Sequence, residues 1–314
     1  MPAQNKSSVS HAVEKLSAEI DSALDLLKGF SLTQELVISK VKAPSTLLEQ
    51  CLEICAQQRS IHPEPIRTVH HFACTGGTLI SKCIAAMPNT QLLSEVDPLS
   101  TPAKSPAQPQ FAPTDMVKLM RQSTRGVSDE LIIELFLNNL EIIYSEAVNA
   151  GQRLVLRDHA HSHFCKGNDI PERPSLCEMI TPKFPVRSVV TVRHPIDSYL
   201  SLKSNGWTHF NPATFDEYCK RYVAFLRAYE GVPIVRFENF VAEPQQTMQE
   251  ICTILDLPYN EQFMDLFSVN QLTGDSGRSG DVIESRPRRE VSKDLIEEAL
   301  YSENHEILNE LLQY

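Results

Sequence analysis

The chain has 314 residues, of which 42% are hydrophobic, and its formal net charge is −11. This length and apolar content suit one large α/β domain with an extension. An acidic chain without a basic tract argues against nucleic acid as a bulk partner. No run approaches the roughly 20 apolar residues of a membrane span, and no apolar signal segment is present, so we expect a cytoplasmic protein. Eight cysteines without a CxxC pair agree with a reducing compartment.

Residues 1–60 carry apolar side chains at helical spacing and are predicted to form helices. The apolar positions are Val13, Leu16, Ile20, Leu24 and Leu27, then Leu47, Leu48, Cys51, Leu52 and Cys55. Such stripes usually pack against a core, and a homodimer seam is the alternative. We therefore divide the chain into an N-terminal helical extension, residues 1–60, and an α/β domain, residues 61–314.

A strand predicted from about residue 64 runs into the turn Cys74-Thr75-Gly76-Gly77-Thr78-Leu79, which opens a helix. Glycines permit close backbone approach and unusual dihedral angles. The first turn of a helix also presents unpaired N–H groups and the positive end of its dipole. The turn is therefore a candidate phosphate site, although a bare structural turn has the same pattern.

Five prolines follow within a short stretch: Pro98, Pro102, Pro106, Pro109 and Pro113. Their density and the low hydrophobicity predict a mobile loop, with a substrate lid as one interpretation. Ser128 then caps a long apolar helix, and a strand is predicted over residues 153–157.

Three histidines, His159, His161 and His163, lie just after that strand and follow Arg157 and Asp158. Imidazole is a common zinc ligand, but these alternate loop positions lack thiol or carboxylate companions at the usual spacing. We therefore expect no metal here.

A β-branched strand over residues 187–192 ends at Arg193, and Pro195 opens a helix over residues 195–204. Ser201 lies about two helical turns on, so both side chains can face one ligand at the carboxyl edge of a sheet. Helix 214–230, strand 233–237 and helix 243–256 follow. This alternation predicts a parallel sheet flanked by helices.

The turn from Cys74 to Leu79 and the segment from Arg193 to Ser201 together resemble the sulfotransferase family. Its members transfer a sulfuryl group from 3′-phosphoadenosine 5′-phosphosulfate (PAPS) to an acceptor hydroxyl or amine. In that family a strand–loop–helix cradles the 5′-phosphosulfate, and the turn from Cys74 to Leu79 corresponds to it. The family's 3′-phosphate pattern is matched by Arg193-His194-Pro195-Ile196-Asp197 with Ser201. The resemblance implies a P-loop-type parallel β-sheet flanked by helices, PAPS as co-substrate without a metal, and a small-molecule or carbohydrate acceptor.

Further positions take their roles from the same resemblance. Phe237 stands where the family places an adenine-stacking aromatic, and Arg278, Ser279 and Gly280 lie in a segment similar to the loop that closes over the 3′-phosphate. The family's basic residue, spacer and histidine base correspond to Arg157, Asp158 and His159, with His161 as the alternative base. Phe237 in plain core packing and Arg278 as a solvated cation are the competing interpretations.

The chain departs from the family at Cys74, where a lysine or arginine is usual. Arg157, Lys82 and His71 are candidates to replace that charge. The departure leaves open a catalytically degenerate nucleotide-binding or scaffold protein of the same fold. A P-loop kinase is less favoured, because no Gly-Lys-Ser/Thr closes the loop.

Overall fold

We describe the chain from a computed structural model. It describes residues 63–101, 113–274, 282–285 and 287–314, together with Ala18 and Asp21. Every element below belongs to the compact unit Pro65–Tyr314. Apart from Ala18 and Asp21, residues 1–60 lie outside the described residues, and with them the predicted N-terminal helices and homodimer seam. Most of the proline-rich loop lies outside them as well.

A parallel sheet of five strands in the order β2-β3-β1-β5-β7 forms the centre of this unit. Two short strands, β4 and β6, pair apart from it. The strands are β1 Ile66–His71, β2 Thr90–Val96, β3 Arg153–Asp158, β4 Lys166–Gly167, β5 Val186–Val192, β6 His209–Phe210 and β7 Ile234–Arg236. Strands β3 and β5 both pair with β1, so their carboxyl ends meet beside its own.

Helices connect the strands and cover both faces of the sheet. They are α1 Gly77–Ala85, α2 Met116–Arg121, α3 Asp129–Asn149, α4 Ala160–Phe164, α5 Leu176–Ile180, α6 Pro195–Ser204, α7 Phe215–Ala228, α8 Phe237–Ala242, α9 Pro244–Leu255, α10 Phe263–Leu266, α11 Lys293–Tyr301 and α12 Glu303–Leu312. A 3₁₀ turn, Phe267–Val269, follows α10. None of the described helices is long and apolar enough to cross a membrane.

The core follows from the strand period of two, which sends neighbouring side chains to opposite faces. On β3, Val155 packs in one cluster with Ile80 of α1, while Leu154 packs in another with Leu140 of α3. Because helices cover both faces, both sets of strand residues are apolar, as is typical of parallel sheets.

The predicted alternation of strands and helices and the parallel sheet are confirmed. The Ser128 hydroxyl accepts a hydrogen bond from the Leu131 N–H at the start of α3, as predicted for a cap. The helix predicted over residues 195–204 is α6.

Two elements differ from the sequence-based expectation. The strand predicted over residues 233–237 ends at Arg236, and Phe237 begins a helix. Strand β2 was not predicted, because it lies at an edge of the sheet, all of its residues are half-buried, and its sequence lacks an apolar run.

Candidate functional site

Most of the predicted site residues that the structure describes meet at the carboxyl edge of the sheet. The loop from Phe72 to Gly76 leaves β1, Arg157 closes β3, and Arg193 follows β5. Because β3 and β5 flank β1, the three strand ends are neighbours. Ligands of open α/β sheets bind at this edge.

The loop after β1 adopts the backbone that an anion site needs. Cys74 and Gly76 have positive φ angles of 63° and 87°, in the left-handed region. The buried Thr75 hydroxyl donates to the Phe72 carbonyl at 2.8 Å, which ties the loop to the end of β1. Gly76 gives the first turn of α1 no side-chain cap, so its N–H groups remain suited to an anion.

Two aromatic rings pack directly against the loop glycines. A Cβ atom on Gly76 would lie 2.1 Å from the Phe237 ring, and one on Gly77 would lie 2.2 Å from the His71 ring. At Gly77 a side chain would therefore displace His71. The structure thus shows one reason for glycine at this position, the packed ring. The sequence suggested another reason, the close approach of an anion.

Arg157 is buried, and all three nitrogens of its guanidinium group have protein partners. Nη2 donates to the Thr78 hydroxyl at 2.9 Å, and both Nε and Nη2 donate to His71 Nε2. Nη1 donates to the Ser94 hydroxyl at 2.8 Å and forms an ion pair with Glu95 at 2.9 Å. The guanidinium group is thus held behind the loop helix, which it contacts through Thr78.

His71 is neutral in this arrangement. Burial lowers its pKa well below the ordinary value, and the neighbouring positive charge of Arg157 lowers it further. Because Nε2 accepts from Arg157, we assign the ring proton to Nδ1. Among the described residues, buried Nδ1 has no hydrogen-bond partner, so it is an unused donor beside Gly77.

Glu95 is a site residue that the sequence analysis missed. The register of β2 against β3 shifts between Leu93 and Val96, which is the mark of a β-bulge, and Glu95 itself has a φ of 61°. Bulges re-aim side chains and are common beside active sites. Here the Glu95 carboxylate contacts Arg157 through Oε1 and lies 3.2 Å from His159 Nε2 through Oε2.

A glycine far along the chain permits this placement of Glu95. A Cβ atom on Gly274 would lie 2.2 Å from Glu95 Oε1. The adjacent Thr273 carbonyl accepts from both Arg157 and Ser94. Segment 273–274 therefore packs over the bulge and holds it in place.

The three histidines have different surroundings. His159 is half-buried beside Glu95, and its Nδ1 has no partner among the described residues. His161 Nε2 lies 3.0 Å from His209 Nδ1. Burial, followed by electrostatic interactions with His209 and His159, lowers the pKa of His161 to about 4. His163 is buried, bonds the Pro171 carbonyl at 3.2 Å and stacks on Phe164, so its role is structural.

Arg193 lies on the other side of the loop, with its guanidinium carbon 5.0 Å from the centre of the Phe237 ring. Its backbone N–H donates to the Tyr222 hydroxyl at 3.1 Å. In the described part of the chain, no group accepts a hydrogen bond from the guanidinium, which leaves a strong donor available for a ligand. Ser201 is buried on α6, where the predicted spacing places it.

The remaining predicted contacts, Arg278, Ser279 and Gly280, lie outside the described residues. Nearby, Arg288 pairs with Asp197 at 3.1 Å and Arg289 donates to the Leu200 carbonyl at 3.0 Å. These bonds tie the chain that follows the predicted loop to the helix that carries Ser201.

The structure shows the surroundings of Cys74 and of the three candidates to replace the missing charge, Arg157, Lys82 and His71. Asn205 Nδ2 donates to the Cys74 sulfur at 3.7 Å. Lys82 lies on α1, one turn beyond the loop, and is half-buried. Arg157 and His71 contact the loop as a hydrogen-bonded pair. Within the described ranges, no group of three histidine, cysteine, aspartate or glutamate side chains is arranged to hold a metal ion.

A comparison with models of protein families identifies the family of this chain. A family model described as "Sulfotransferase family" matches residues 42–261, a range that includes the loop, Arg157, His159, Arg193 and Ser201. No curated protein matches the chain at a significant level.

Solved structures similar to the chain include the following three. The sulfotransferase domain of the Synechococcus PCC 7002 olefin synthase is 15% identical, covers 80% of this chain and 95% of its own, and has a TM-score of 0.47. The sulfotransferase domain from the curacin biosynthetic pathway is 14% identical, covers 80% and 98%, and has a TM-score of 0.46. Mouse sulfotransferase SULT7A1, complexed with PAP, is 12% identical, covers 78% and 88%, and has a TM-score of 0.39.

Proposed function

The chain belongs to the sulfotransferase family, and from that premise we propose that it transfers a sulfuryl group from PAPS to a hydroxyl or amine of a small molecule or carbohydrate. The observation that carries this proposal is the meeting of three strand ends. They bring together an uncapped helix start, an arginine whose guanidinium group has no hydrogen-bond acceptor among the described residues, and a histidine held by a carboxylate.

The loop and α1 would hold the 5′-phosphosulfate. The N–H groups of the first helical turn can bind its oxygens. Nδ1 of His71 adds a neutral donor, and Arg157 bonds to the opposite nitrogen of the same ring. In this proposal the His71–Arg157 pair takes the place of the lysine or arginine that the family usually has at the position of Cys74. His71 Nδ1 donates the hydrogen bond, and the positive charge lies on Arg157, which is bonded to the other side of the His71 ring.

Arg193, with Ser201, would hold the 3′-phosphate. A planar guanidinium group can bind two phosphate oxygens at once. In the part of the chain that the structure describes, the neighbour of this group is the Phe237 ring and no carboxylate pairs with it, so those donors are available. Phe237 is half-buried between Gly76 and Arg193, which agrees with an edge of the adenine pocket.

His159 is the proposed general base. With Nε2–H donating to Glu95, Nδ1 keeps its lone pair and can take the proton of the acceptor hydroxyl. Glu95 would also stabilise the imidazolium that forms, as the carboxylate does in other histidine–carboxylate pairs. His161 is less suited to this role, because its Nε2 is bonded to His209.

Bound PAPS would supply the sulfuryl group and the leaving phosphate. Transfer of such a group depends chiefly on alignment and on electrostatic stabilisation of the equatorial oxygens. The chain's own residues would align the two ends of the nucleotide and remove the acceptor's proton.

Calorimetric titration with PAPS, adenosine 3′,5′-bisphosphate (PAP), AMP and Mg–ATP tests the proposed donor site. We expect PAPS and PAP to bind far more tightly than AMP, because only they offer a 3′-phosphate to Arg193. A preference for Mg–ATP would favour a kinase instead. Tight PAPS binding without transfer to any acceptor would favour the degenerate scaffold, which the cysteine at position 74 keeps as the second candidate. The cytoplasmic location stays a prediction.

A further inference from the structure

The peptide that follows Arg193 is held by a carboxylate from the next strand end. The His194 N–H donates to Glu238 Oε1 at 2.9 Å. Glu238 is the second residue of α8, directly after Phe237, whose ring centre lies 5.0 Å from the Arg193 guanidinium carbon. The first two residues of α8 therefore contact both the backbone beside Arg193 and the side chain of Arg193 itself.

A second support for the same backbone comes from the core. The Tyr222 hydroxyl accepts from the Arg193 N–H at 3.1 Å and donates to the Arg193 carbonyl at 3.4 Å. Tyr222 is buried, and its ring stacks on Phe72 with centroids 4.5 Å apart. This support is fixed by packing, whereas Glu238 is half-buried and needs another group to hold its carboxylate in place.

Tyr314, far along the chain, supplies that group. Its hydroxyl donates to Glu238 Oε2 at 2.7 Å. A carboxylate only accepts, so the direction of both hydrogen bonds to Glu238 is fixed. The Tyr314 ring also packs against the His194 ring, with centroids 5.1 Å apart, and the Arg236 guanidinium carbon lies 5.0 Å from the centre of the Tyr314 ring. Each carboxylate oxygen of Glu238 thus has its own donor, one on each side.

The end of α12 is fastened to the same strand end. Arg236, the last residue of β7, donates to the Leu312 carbonyl, and the ring of Tyr314 lies against its guanidinium group. Tyr314 is therefore held by contacts to β7, to His194 and to Glu238, rather than by one hydrogen bond alone.

We propose that Tyr314 is a positioning residue for the 3′-phosphate site, acting on Arg193 through Glu238 and the His194 peptide. The inference rests on the proposed function, because it concerns the same nucleotide site. Bidentate binding of a phosphate depends on the orientation of the guanidinium plane. Without the Tyr314 hydroxyl the Glu238 carboxylate is free to rotate, and the backbone that carries Arg193 loses one of its two supports.

Isothermal titration with PAP and AMP tests this role. Tyr314→Phe removes the hydroxyl but keeps the ring against His194 and Arg236. We expect its affinity for PAP to fall about three- to tenfold, which is the range for the net contribution of one hydrogen bond, with the affinity for AMP unchanged. Tyr301→Phe, at an exposed tyrosine that ends α11, should change neither affinity. A wild-type preference for PAP over AMP that is retained in full by Tyr314→Phe would overturn the inference.

A double-mutant cycle separates positioning of Arg193 from a general effect on the fold. In an Arg193→Ala background, Tyr314→Phe should cause no further loss of PAP affinity, because the group that it positions is gone. Glu238→Gln keeps an oxygen acceptor for the His194 N–H and should retain most of the affinity, whereas Glu238→Ala should lose at least as much as Tyr314→Phe. Additive losses in the cycle would contradict the proposal. Circular dichroism and thermal unfolding check that each variant folds.

Amide hydrogen exchange needs no nucleotide and separates this inference from the proposed function. The His194 N–H should exchange several-fold faster in Tyr314→Phe than in the wild type or Tyr301→Phe, since its acceptor is less firmly held. Unchanged exchange would overturn the inference whatever the protein binds. Wild-type protein that binds PAP no better than AMP would instead overturn the proposed function, and the role of Tyr314 at a 3′-phosphate with it.

Discussion

Arg193→Ala removes one end of the proposed nucleotide site with little cost to the fold. In the protein the guanidinium group contributes a cation–π contact with Phe237 at 5.0 Å, and no described group accepts a hydrogen bond from it. Such a contact stabilises a partly exposed site by about 0.5–1 kcal/mol. The variant should therefore stay folded, and the loss of the guanidinium group should appear as a lower affinity for the nucleotide.

The expected loss of affinity follows from the hydrogen bonds that the 3′-phosphate would make. A hydrogen bond to a charged group contributes about 1.5–3 kcal/mol. Since about 1.4 kcal/mol corresponds to a tenfold change in the dissociation constant, losing one such bond weakens the binding of PAP by about 10- to 150-fold. AMP lacks the 3′-phosphate, so its affinity should hardly change, and the preference for PAP over AMP should collapse.

Isothermal titration of PAP and AMP into wild type, Arg193→Ala and Arg187→Ala measures this directly. Arg187 lies on the same strand but near its amino end, and its side chain is exposed. Arg187→Ala therefore removes an equal charge far from the site and should leave both affinities unchanged. If Arg193→Ala still prefers PAP over AMP as strongly as the wild type does, the assignment of the 3′-phosphate site is wrong.

Three further predictions concern the base, its carboxylate partner and a buried ion pair. His159→Ala should lower kcat by roughly 10²- to 10⁴-fold with PAP affinity almost unchanged, whereas His161→Ala should do much less; the reverse result in steady-state assays would move the base to His161. Glu95→Gln weakens charge-assisted bonds to His159 and Arg157, so kcat should fall by about 10- to 150-fold. Unchanged turnover would show that Glu95 does not support the base. Burial would raise the pKa of Asp97, but the two hydrogen bonds from Arg173, at 2.6 and 2.7 Å, outweigh it and lower the pKa. Folding thus favours the charged carboxylate, so its stabilisation is complete above the unfolded pKa of about 3.9 and is lost as the pH falls through the lower folded value. Asp97→Asn should lose about 3–5 kcal/mol at pH 7 and show less acid sensitivity in urea unfolding; an unchanged acid limb would refute the role of this pair.

Much of this site could be predicted from the sequence, because most of its residues lie in short continuous segments. Arg193, Pro195 and Ser201 lie within nine residues, so the strand end, the helix start and the position of the serine on that helix can be predicted together. The same holds for the turn at Gly76 and for the basic residue and histidine that close β3. In each case a short segment determines both the backbone and the side chains it presents.

What the sequence could not predict depends on distant segments. Glu95 reaches the site only because a bulge turns it and Gly274 makes room for it, and β2 itself lacks an apolar run. The ion pair of Arg157 with Glu95 and its hydrogen bonds to His71 and Thr78 likewise join four separate segments. Local patterns do not encode such contacts, so the partner of the proposed base was missed.

We propose that this protein transfers a sulfuryl group from PAPS with His159 as the base. The most direct measurement incubates the protein with radiolabelled PAPS and a cell extract, then follows label in products and release of PAP. We predict labelled product with the wild type and almost none with a His159→Ala variant that still binds PAP. Wild-type protein that binds PAPS but transfers label to no component of any extract would contradict the account and leave a nucleotide-binding scaffold in its place.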